Sequence, residues 1–470
     1  MKNLVWFRND LRIIDHEPLL TAAEEGEPVG LFCFDPRHFE GTPYGFPKTD
    51  SNRAQFLIES VRELREKLKG RLLVRFGKPE EVIPELVDKL DAAELYYHEE
   101  VTEEERNVER KLQQVLDIPI FGFRGHELYH PDDLPVDTEA IPDVFTQFRK
   151  KLEKQSSVRD ALGKADLKPM VLHVDAGEIP SLSDLGLHEK EQDNRSVLEF
   201  KGGESAAWNR LKHYFFEADK LRDYKFTRNG LLGADYSSKF SPWLAHGCIS
   251  ARSVYAEVER YEREVHKNKS TYWLKFELIW RDYFRYSAEK YGSKIFQLGG
   301  IQGKELKKEN NREWFERWKN GRTGIPFIDA NMIELHETGF MSNRGRQNVA
   351  SFLAQNLDID WRWGASWFES RLIDYDVCSN WGNWAYNATV GHDPRNRYFN
   401  IINQARKYDK KGDYVKRWLP ELQGLPGEFI HEPWKMTPDQ QALYGVKLGE
   451  EYPEPVIDLE ESYERIRERD

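Results

Sequence analysis

The chain is 470 residues long, 39% hydrophobic and 32% charged, with a formal net charge of −12 and three cysteines. That length has room for two or more domains with full cores, the composition is ordinary for a soluble globular protein, and no apolar run is long enough to span a membrane. Cys33, Cys248 and Cys378 are widely spaced and odd in number, which argues against disulfides and a CxxC metal site and for a reducing, cytoplasmic compartment; residues 1–7 carry no signal-peptide core, a removed organellar leader being the alternative.

Over the first 125 or so residues, short apolar runs alternate with helical patterns. Residues 4–7, 29–34, 72–76, 95–97 and 118–121 read as strands. Between them the stripes Leu57, Val61, Leu64, Leu68 and Val82, Ile83, Leu86, Val87, Leu90 recur at helical spacing. The alternation predicts an α/β domain over 1–130 with a doubly wound parallel sheet, Rossmann-like in shape. GxGxxG is missing, so the shape assigns no nicotinamide cofactor. The pattern then loosens into Pro, Asp, Gly and Ser, which predicts a connector over 131–200 packed across the surface. Beyond Ser205 the chain reads as helices with aromatic buried faces, an all-α domain over 201–470 that carries thirteen of the fourteen tryptophans.

Acids cluster at residues 99–105 and from 450 onward. Arg344, Arg346, Arg395, Arg397, Arg406, Lys407, Lys410, Lys411, Lys416 and Arg417 gather instead in the aromatic C-terminal part. A net-negative chain can therefore present a locally basic face to nucleic acid, although such runs are most often solvated surface.

Four segments carry chemistry. Residues 236–242 (YSSKFSP) place Ser237, Ser238, Lys239 and Ser241 ahead of a helix that Ser241 can cap and Pro242 can start, a pattern that suits a pyrophosphate as well as a plain N-cap. In residues 277–283 (ELIWRDY) the i, i+3 and i+4 spacing groups Glu277, Trp280 and Arg281. Residues 342–347 (SNRGRQ) open another helix with Asn343 and Gln347 on one face, and Arg346 within reach of Asp374 or Asp376. Residues 374–387 (DYDVCSNWGNWAYN) combine two acids, several amides and four aromatics, which suits a planar aromatic cofactor better than a core turn, since buried unpaired polar groups cost about 1–3 kcal/mol each.

Residues 4–12 (LVWFRNDLR) resemble the opening of the photolyase and cryptochrome family, as do FSPWLAHGCIS, ELIWRDYF and LIDYD with its Trp-rich continuation. YGFPKTDSNRAQFL from Tyr44, VFTQFRK from Val144, YSSKFSPWLA from Tyr236 and SNRGRQN from Ser342 are most similar to its cryptochrome-DASH branch. The resemblance spans essentially the whole chain. It implies FAD in the helical domain, held by Tyr224, Ser237, Ser238, Lys239 and Ser241 at the phosphates and ribose, by Arg281 and Arg346, by Asp374 and Asp376, and by Asn380 facing the flavin. It implies substrate contacts from Glu277, Trp280, Asn343, Arg344, Gln347 and Tyr386, with Trp384 and Trp361 as inner electron relays. Lys308 falls on the outer relay position, leaving Trp314 or Trp318 to serve there. Glu103, less certainly Glu100, matches an acidic contact to a methenyltetrahydrofolate antenna.

The implied function is light-driven splitting of cyclobutane pyrimidine dimers, preferentially in single-stranded DNA, by a deoxyribodipyrimidine photo-lyase acting as a monomer, without a metal, and with RNA as a further candidate partner. Histidines needed for the 6-4 lesion are missing at Asn343 and Gln347. A blue-light photoreceptor with little repair is the alternative, disfavoured by Glu277, Trp280 and Asn343 and by the short charged stretch after Pro455.

Overall fold

The computed structural model describes residues 1–392 and 398–468; Arg395 and Arg397 lie outside them. Five strands, β1 (Lys2–Phe7), β2 (Glu27–Phe34), β3 (Leu72–Phe76), β4 (Ala92–His98) and β5 (Ile120–Phe123), form one parallel sheet in the order β3-β2-β1-β4-β5. Side chains alternate across it, as the two-residue period of a strand requires. Val5, Phe7, Phe32, Phe34 and Val74 pack on one face with α1 (Glu17–Glu25) and α2 (Ser51–Lys67). Leu4, Trp6, Leu31 and Leu73 pack on the other with α3 (Pro79–Leu90) and α4 (Glu103–Val115). The last strand starts two residues later than its apolar run. Pro119 has no N–H to donate and contributes only its carbonyl, to Leu95 N at 3.0 Å.

The segment after β5 holds one α-helix, Phe145–Gln155, with two short 3-10 turns before it, and its later part runs across the outer edge of β3, where Val74 N donates to Ala176 O at 2.8 Å and Arg71 Nε to Lys168 O at 2.9 Å. That covering satisfies an edge strand which would otherwise expose open backbone groups. From Glu204 the chain is helical, and its core contains the fully buried Trp318, Trp361, Trp367, Trp384 and Trp418. Among the described residues no helix is long and apolar enough to cross a membrane.

The Lys269–Tyr291 helix joins the two parts. Asn268 caps it, accepting from Ser270 N and Thr271 N. One of its faces faces the first domain: buried Asp282 accepts backbone N–H groups of Leu128 and Tyr129 at 2.9–3.0 Å, and Arg285 pairs with Glu100 at 3.0 Å and Glu127 at 3.2 Å. A neighbouring face, Leu274, Glu277, Leu278 and Arg281, lines a cavity in the helical part. Helical periodicity thus fixes that wall against the α/β domain.

Candidate cofactor and nucleic-acid site

The cavity measures about 310 Å³, within the range of small-molecule sites of ~300–1,000 Å³. Its wall includes Tyr224, Ser237, Ser238, Lys239, Ser241, Arg281, Arg346, Asp374, Asp376 and Asn380, together with Glu277, Asn343, Gln347 and Trp384. Segments separated by about 160 residues of chain therefore converge on one space.

Ser241 does not cap a helix. Phe240, already at φ −77° and ψ −10°, precedes a five-residue helix that begins at Ser241 itself, and no side-chain cap bond forms. An N-cap needs extended backbone, which Ser241 lacks once the chain is helical at its N-terminal neighbour. Lys239 just before it stands in the left-handed region at φ 56°. Its ammonium is buried, lies 3.2 Å from the centre of the Tyr236 ring and donates to Gly233 O at 3.3 Å. Burial pushes it down to about 6. Glu334 sits nearby, fully buried, and accepts from the Tyr414 hydroxyl at 2.7 Å; burial pushes it up to about 7, with Lys239 and Arg346 opposing.

Ser342 caps the Asn343–Ser351 helix by accepting Gly345 N at 3.0 Å, and this aims Asn343, Arg346 and Gln347 at the cavity. Arg346 donates to Asp374 at 2.8 Å and to Met341 O at 2.9 Å, which decides between the two aspartates. Asp376 instead caps the Val377–Asn387 helix, accepting Ser379 N at 2.7 Å. Along that helix Asn380, Asn383, Trp384 and Asn387 follow at i, i+3, i+4 and i+7 and form one wall. Asn380 gives its amide N–H to Ala365 O at 3.0 Å, fixing the side chain by a bond to the adjoining helix. Gly364 and Gly382 permit the close approach: a Cβ on Gly364 would lie 2.2 Å from Trp384 Cη2, and one on Gly382 2.3 Å from Phe284.

At the mouth, Glu277 pairs with Arg228 at 2.6 Å. Burial raises its carboxyl above the usual range against the opposing pull of Arg228. Arg228 escaped sequence reading, as did Asn383 and Asn387; a cation at i+4 from Tyr224, and amides at i+3 and i+7 from Asn380, were the available signals.

Trp280, Tyr386, Arg344, Trp361 and Glu103 lie outside the cavity wall, as do Lys308 and Glu100. Trp280 turns sideways and stacks on Phe145 of the connector helix, centroids 3.6 Å apart at 11°, with Tyr386 edge-on at 6.5 Å. Arg344 bonds Asn229 at 3.1 Å and lies 4.6 Å over the Tyr408 ring. Trp361 is buried against Trp381 at 5.6 Å, its indole N–H on Leu298 O at 2.9 Å. Lys308 pairs with Asp358 at 2.8 Å. Glu103 opens α4 on the exposed surface of the first domain, paired with Arg110 at 2.5 Å, whereas Glu100 is buried between Asn9 and Arg285.

The donor set fits a large polar aromatic ligand. Asp374 Oδ1, Gln347 Oε1, the Tyr236 hydroxyl and Trp384 Nε1 all belong to wall residues and are buried with no hydrogen-bond partner among the described residues. Four such atoms gathered on one cavity wall fit a ligand's donors and acceptors, since buried polar groups are for the most part hydrogen-bonded. Arg281 and Arg346 add cationic character suited to phosphates.

Comparison with known proteins agrees with this arrangement. Residues 3–168 match the family model described as DNA photolyase, and residues 273–469 the model for the FAD binding domain of DNA photolyase. The chain is 56% identical over 467 residues to Cryptochrome DASH of Gloeobacter violaceus, covering 98% of this chain and 93% of that protein. The crystal structure of a Synechocystis sp. PCC6803 cryptochrome superposes with a TM-score of 0.97 at 50% identity, covering 100% of this chain and 99% of that one. A bacterial class III photolyase from Agrobacterium tumefaciens follows at 0.87 and 28% identity, covering 99% and 96%. With half or more of its residues shared with cryptochrome-DASH proteins over nearly its full length, the chain belongs to the photolyase and cryptochrome family, in the cryptochrome-DASH branch.

Proposed function

We propose that the protein is a light-driven lyase that splits cyclobutane pyrimidine dimers in single-stranded DNA, with FAD bound in the cavity of the helical domain. The observation that carries this reading is the placement of Glu277 at the mouth of a cavity whose inner wall gathers Arg346, Asp374, Asp376 and Asn380. FAD bound there supplies the electron chemistry. The protein's part is positioning and electrostatics. Arg346 and Arg281 hold anionic groups, Lys239 offers a buried N–H donor beside them, Asp374 orients Arg346, and Asn380 presents a neutral amide oriented by Ala365. Glu277, with its carboxyl raised by burial and paired with Arg228, stands on the cavity wall where it can hydrogen-bond a pyrimidine. Asn343 and Gln347 offer amides to the same space, and Arg344, with no carboxylate partner among the described residues, suits a backbone phosphate.

Single-strand preference follows from the cost of extraction. A base already unpaired enters without the few kcal/mol of unstacking a duplex demands. Tyr386 and Gln347 supply less apolar surface for a flipped lesion than tryptophan and methionine would. The same reading takes 1–130 as an antenna domain with methenyltetrahydrofolate near Glu103, 131–200 as connector and 201–470 as the catalytic domain, with the protein acting as a monomer.

A photoreceptor with weak repair is the second reading. It draws on the Phe145–Trp280 stack, which covers one face of an indole that a lesion would use. Dimer splitting measured on single-stranded and duplex oligonucleotides, in light and in darkness, with flavin reduced chemically beforehand, separates the two. Light-dependent splitting of the single-stranded substrate is expected; none in either substrate would overturn the lyase.

A further inference from the structure

Two buried ionisable groups stand close to one another at the serine-rich end of the cavity without pairing. Lys239, 3% exposed, comes from the loop before Ser241 and lies on the wall; Glu334, 1% exposed, comes from the Pro326–Thr338 helix behind it. Each feels the charge of the other, yet among the described residues neither belongs to an ion pair. An unpaired charge is costly to bury, so such groups change their proton count instead.

The contacts fit a neutral pair. Lys239 Nζ donates to Gly233 O at 3.3 Å, longer than the ~2.7–2.9 Å of a charged N–H donor, and lies over the Tyr236 ring. From the Glu204–Lys212 helix Arg210 binds Ser238 O, Ala234 O and Ser237 O at 2.9–3.1 Å and Asp235 at 2.7 Å. That cation fixes the loop and, with burial, works against a second positive charge on Lys239, while Glu334 and Asp235 draw the proton back less strongly. Glu334 accepts the Tyr414 hydroxyl on Oε2, and its Oε1 has no hydrogen-bond partner among the described residues, which leaves that oxygen to carry a proton. Lys239, Arg346 and Arg417 favour its carboxylate, and burial outweighs them.

We propose that Lys239 and Glu334 couple the binding of a pyrophosphate-bearing ligand to proton uptake: Lys239 is an amine in the empty cavity, and an anion bound beside Ser237, Ser238 and Ser241 brings a solvent proton onto Nζ while Glu334 holds one on Oε1. The inference rests on FAD occupying the cavity. One N–H bond forms at Nζ, the proton comes from water or buffer, and no electron moves. The wall thus gains its positive charge when an anion is there to meet it. In the empty cavity Lys239 loses its proton above about 6 and Glu334 above about 7. A bound anion raises both, so affinity is full below about pH 6 and falls as pH rises, by up to about tenfold per pH unit for each proton taken up. The pyrophosphate of FAD stays ionised over this range, so the protons land on the protein.

Isothermal titration of the apoprotein with FAD, in buffers of different ionisation enthalpy, reads the protons taken up per ligand and stands apart from any repair assay. The wild type should take up about one proton at about pH 7.5 and close to none at about pH 5. Glu334→Gln, nearly isosteric, should move the onset of uptake to lower pH, because the carboxylate that draws the proton to Lys239 is gone. Lys239→Arg together with Glu334→Gln leaves a cation that does not titrate, and should abolish the uptake and flatten the affinity between about pH 6 and 8. FAD binding by the wild type without proton uptake, an unmoved onset in Glu334→Gln, or undiminished uptake in the double variant would overturn the coupling and leave the cavity reading standing. A protein that binds no FAD at any pH overturns both.

Discussion

Asp374→Asn isolates the charge that orients the cofactor wall. The carboxylate takes Arg346 Nη2 at 2.8 Å, with side-chain exposures of 2% for the acid and 24% for the arginine. Asparagine keeps the volume and one carbonyl oxygen for that bond, and removes the charge. A hydrogen bond to an ionised group contributes about 1.5–3 kcal/mol where a neutral one contributes about 0.5–1.5 kcal/mol, a difference of about 1–2 kcal/mol. At about 1.4 kcal/mol per tenfold, FAD should bind roughly 5–30-fold more weakly, towards the lower end because Arg346 is partly solvated. The amide nitrogen would also place a donor where Asp374 Oδ1 now offers an acceptor. Fluorescence titration of the apoprotein with FAD measures the change, and a circular-dichroism melt checks the fold. Unchanged affinity in a well-folded variant would refute the assignment of Asp374 to the flavin frame.

Glu277→Gln should leave flavin absorption intact and lower the quantum yield of dimer splitting, because it removes the ionisable carboxyl and its pairing with Arg228 from the cavity wall; an unchanged yield per absorbed photon would remove Glu277 from the chemistry. Gly364→Ala puts a methyl 2.2 Å from Trp384 Cη2 and 2.6 Å from Leu353 Cδ2. Overpacking of about 1–3 kcal/mol should outweigh the ~1 kcal/mol gained in helix propensity, and near-ultraviolet dichroism should report a displaced indole, whereas full flavin loading with native melting would count against the packing described. Asp282, pushed up to about 7 by burial despite its backbone N–H partners, is raised above the ~3.9 of an unfolded aspartate. Its contribution to stability is therefore fully present below about pH 4 and lost as pH rises through about 7, amounting to about 4 kcal/mol. Asp282→Asn should flatten that part of the profile in urea unfolding between these pH values, and a parallel profile would show that the carboxylate stays ionised.

The sheet was legible because strands and helices write their periods directly into apolar positions: residues 4–7 alternate across two faces, and Ile83, Leu86, Val87 and Leu90 fall on one side of α3. Local backbone chemistry defeated finer reading at two points. Pro119 delayed β5, and the helical conformation of Phe240 displaced the cap expected of Ser241. Both depend on the conformation of a neighbour, which residue type alone does not determine.

Within the site, what could be read was what lies on one helix. Asn343 with Gln347, and Glu277 with Arg281, reach the cavity together because residues four apart share a face. What could not be read are contacts between elements. Arg228 reaches Glu277 from 49 positions away, Phe145 comes from the connector to cover Trp280, and Trp318 meets Trp384 from another helix. In each case a side chain whose type was plain from the sequence acquired its neighbour only through tertiary packing. An indole can stand on a ligand, on a phenyl ring or on another indole at similar energy, since aromatic pairs contribute only about 0.5–1.5 kcal/mol beyond their burial. The choice among those partners is made by how the surrounding helices dock, which sets Trp280 on Phe145 and Trp318 against Trp384.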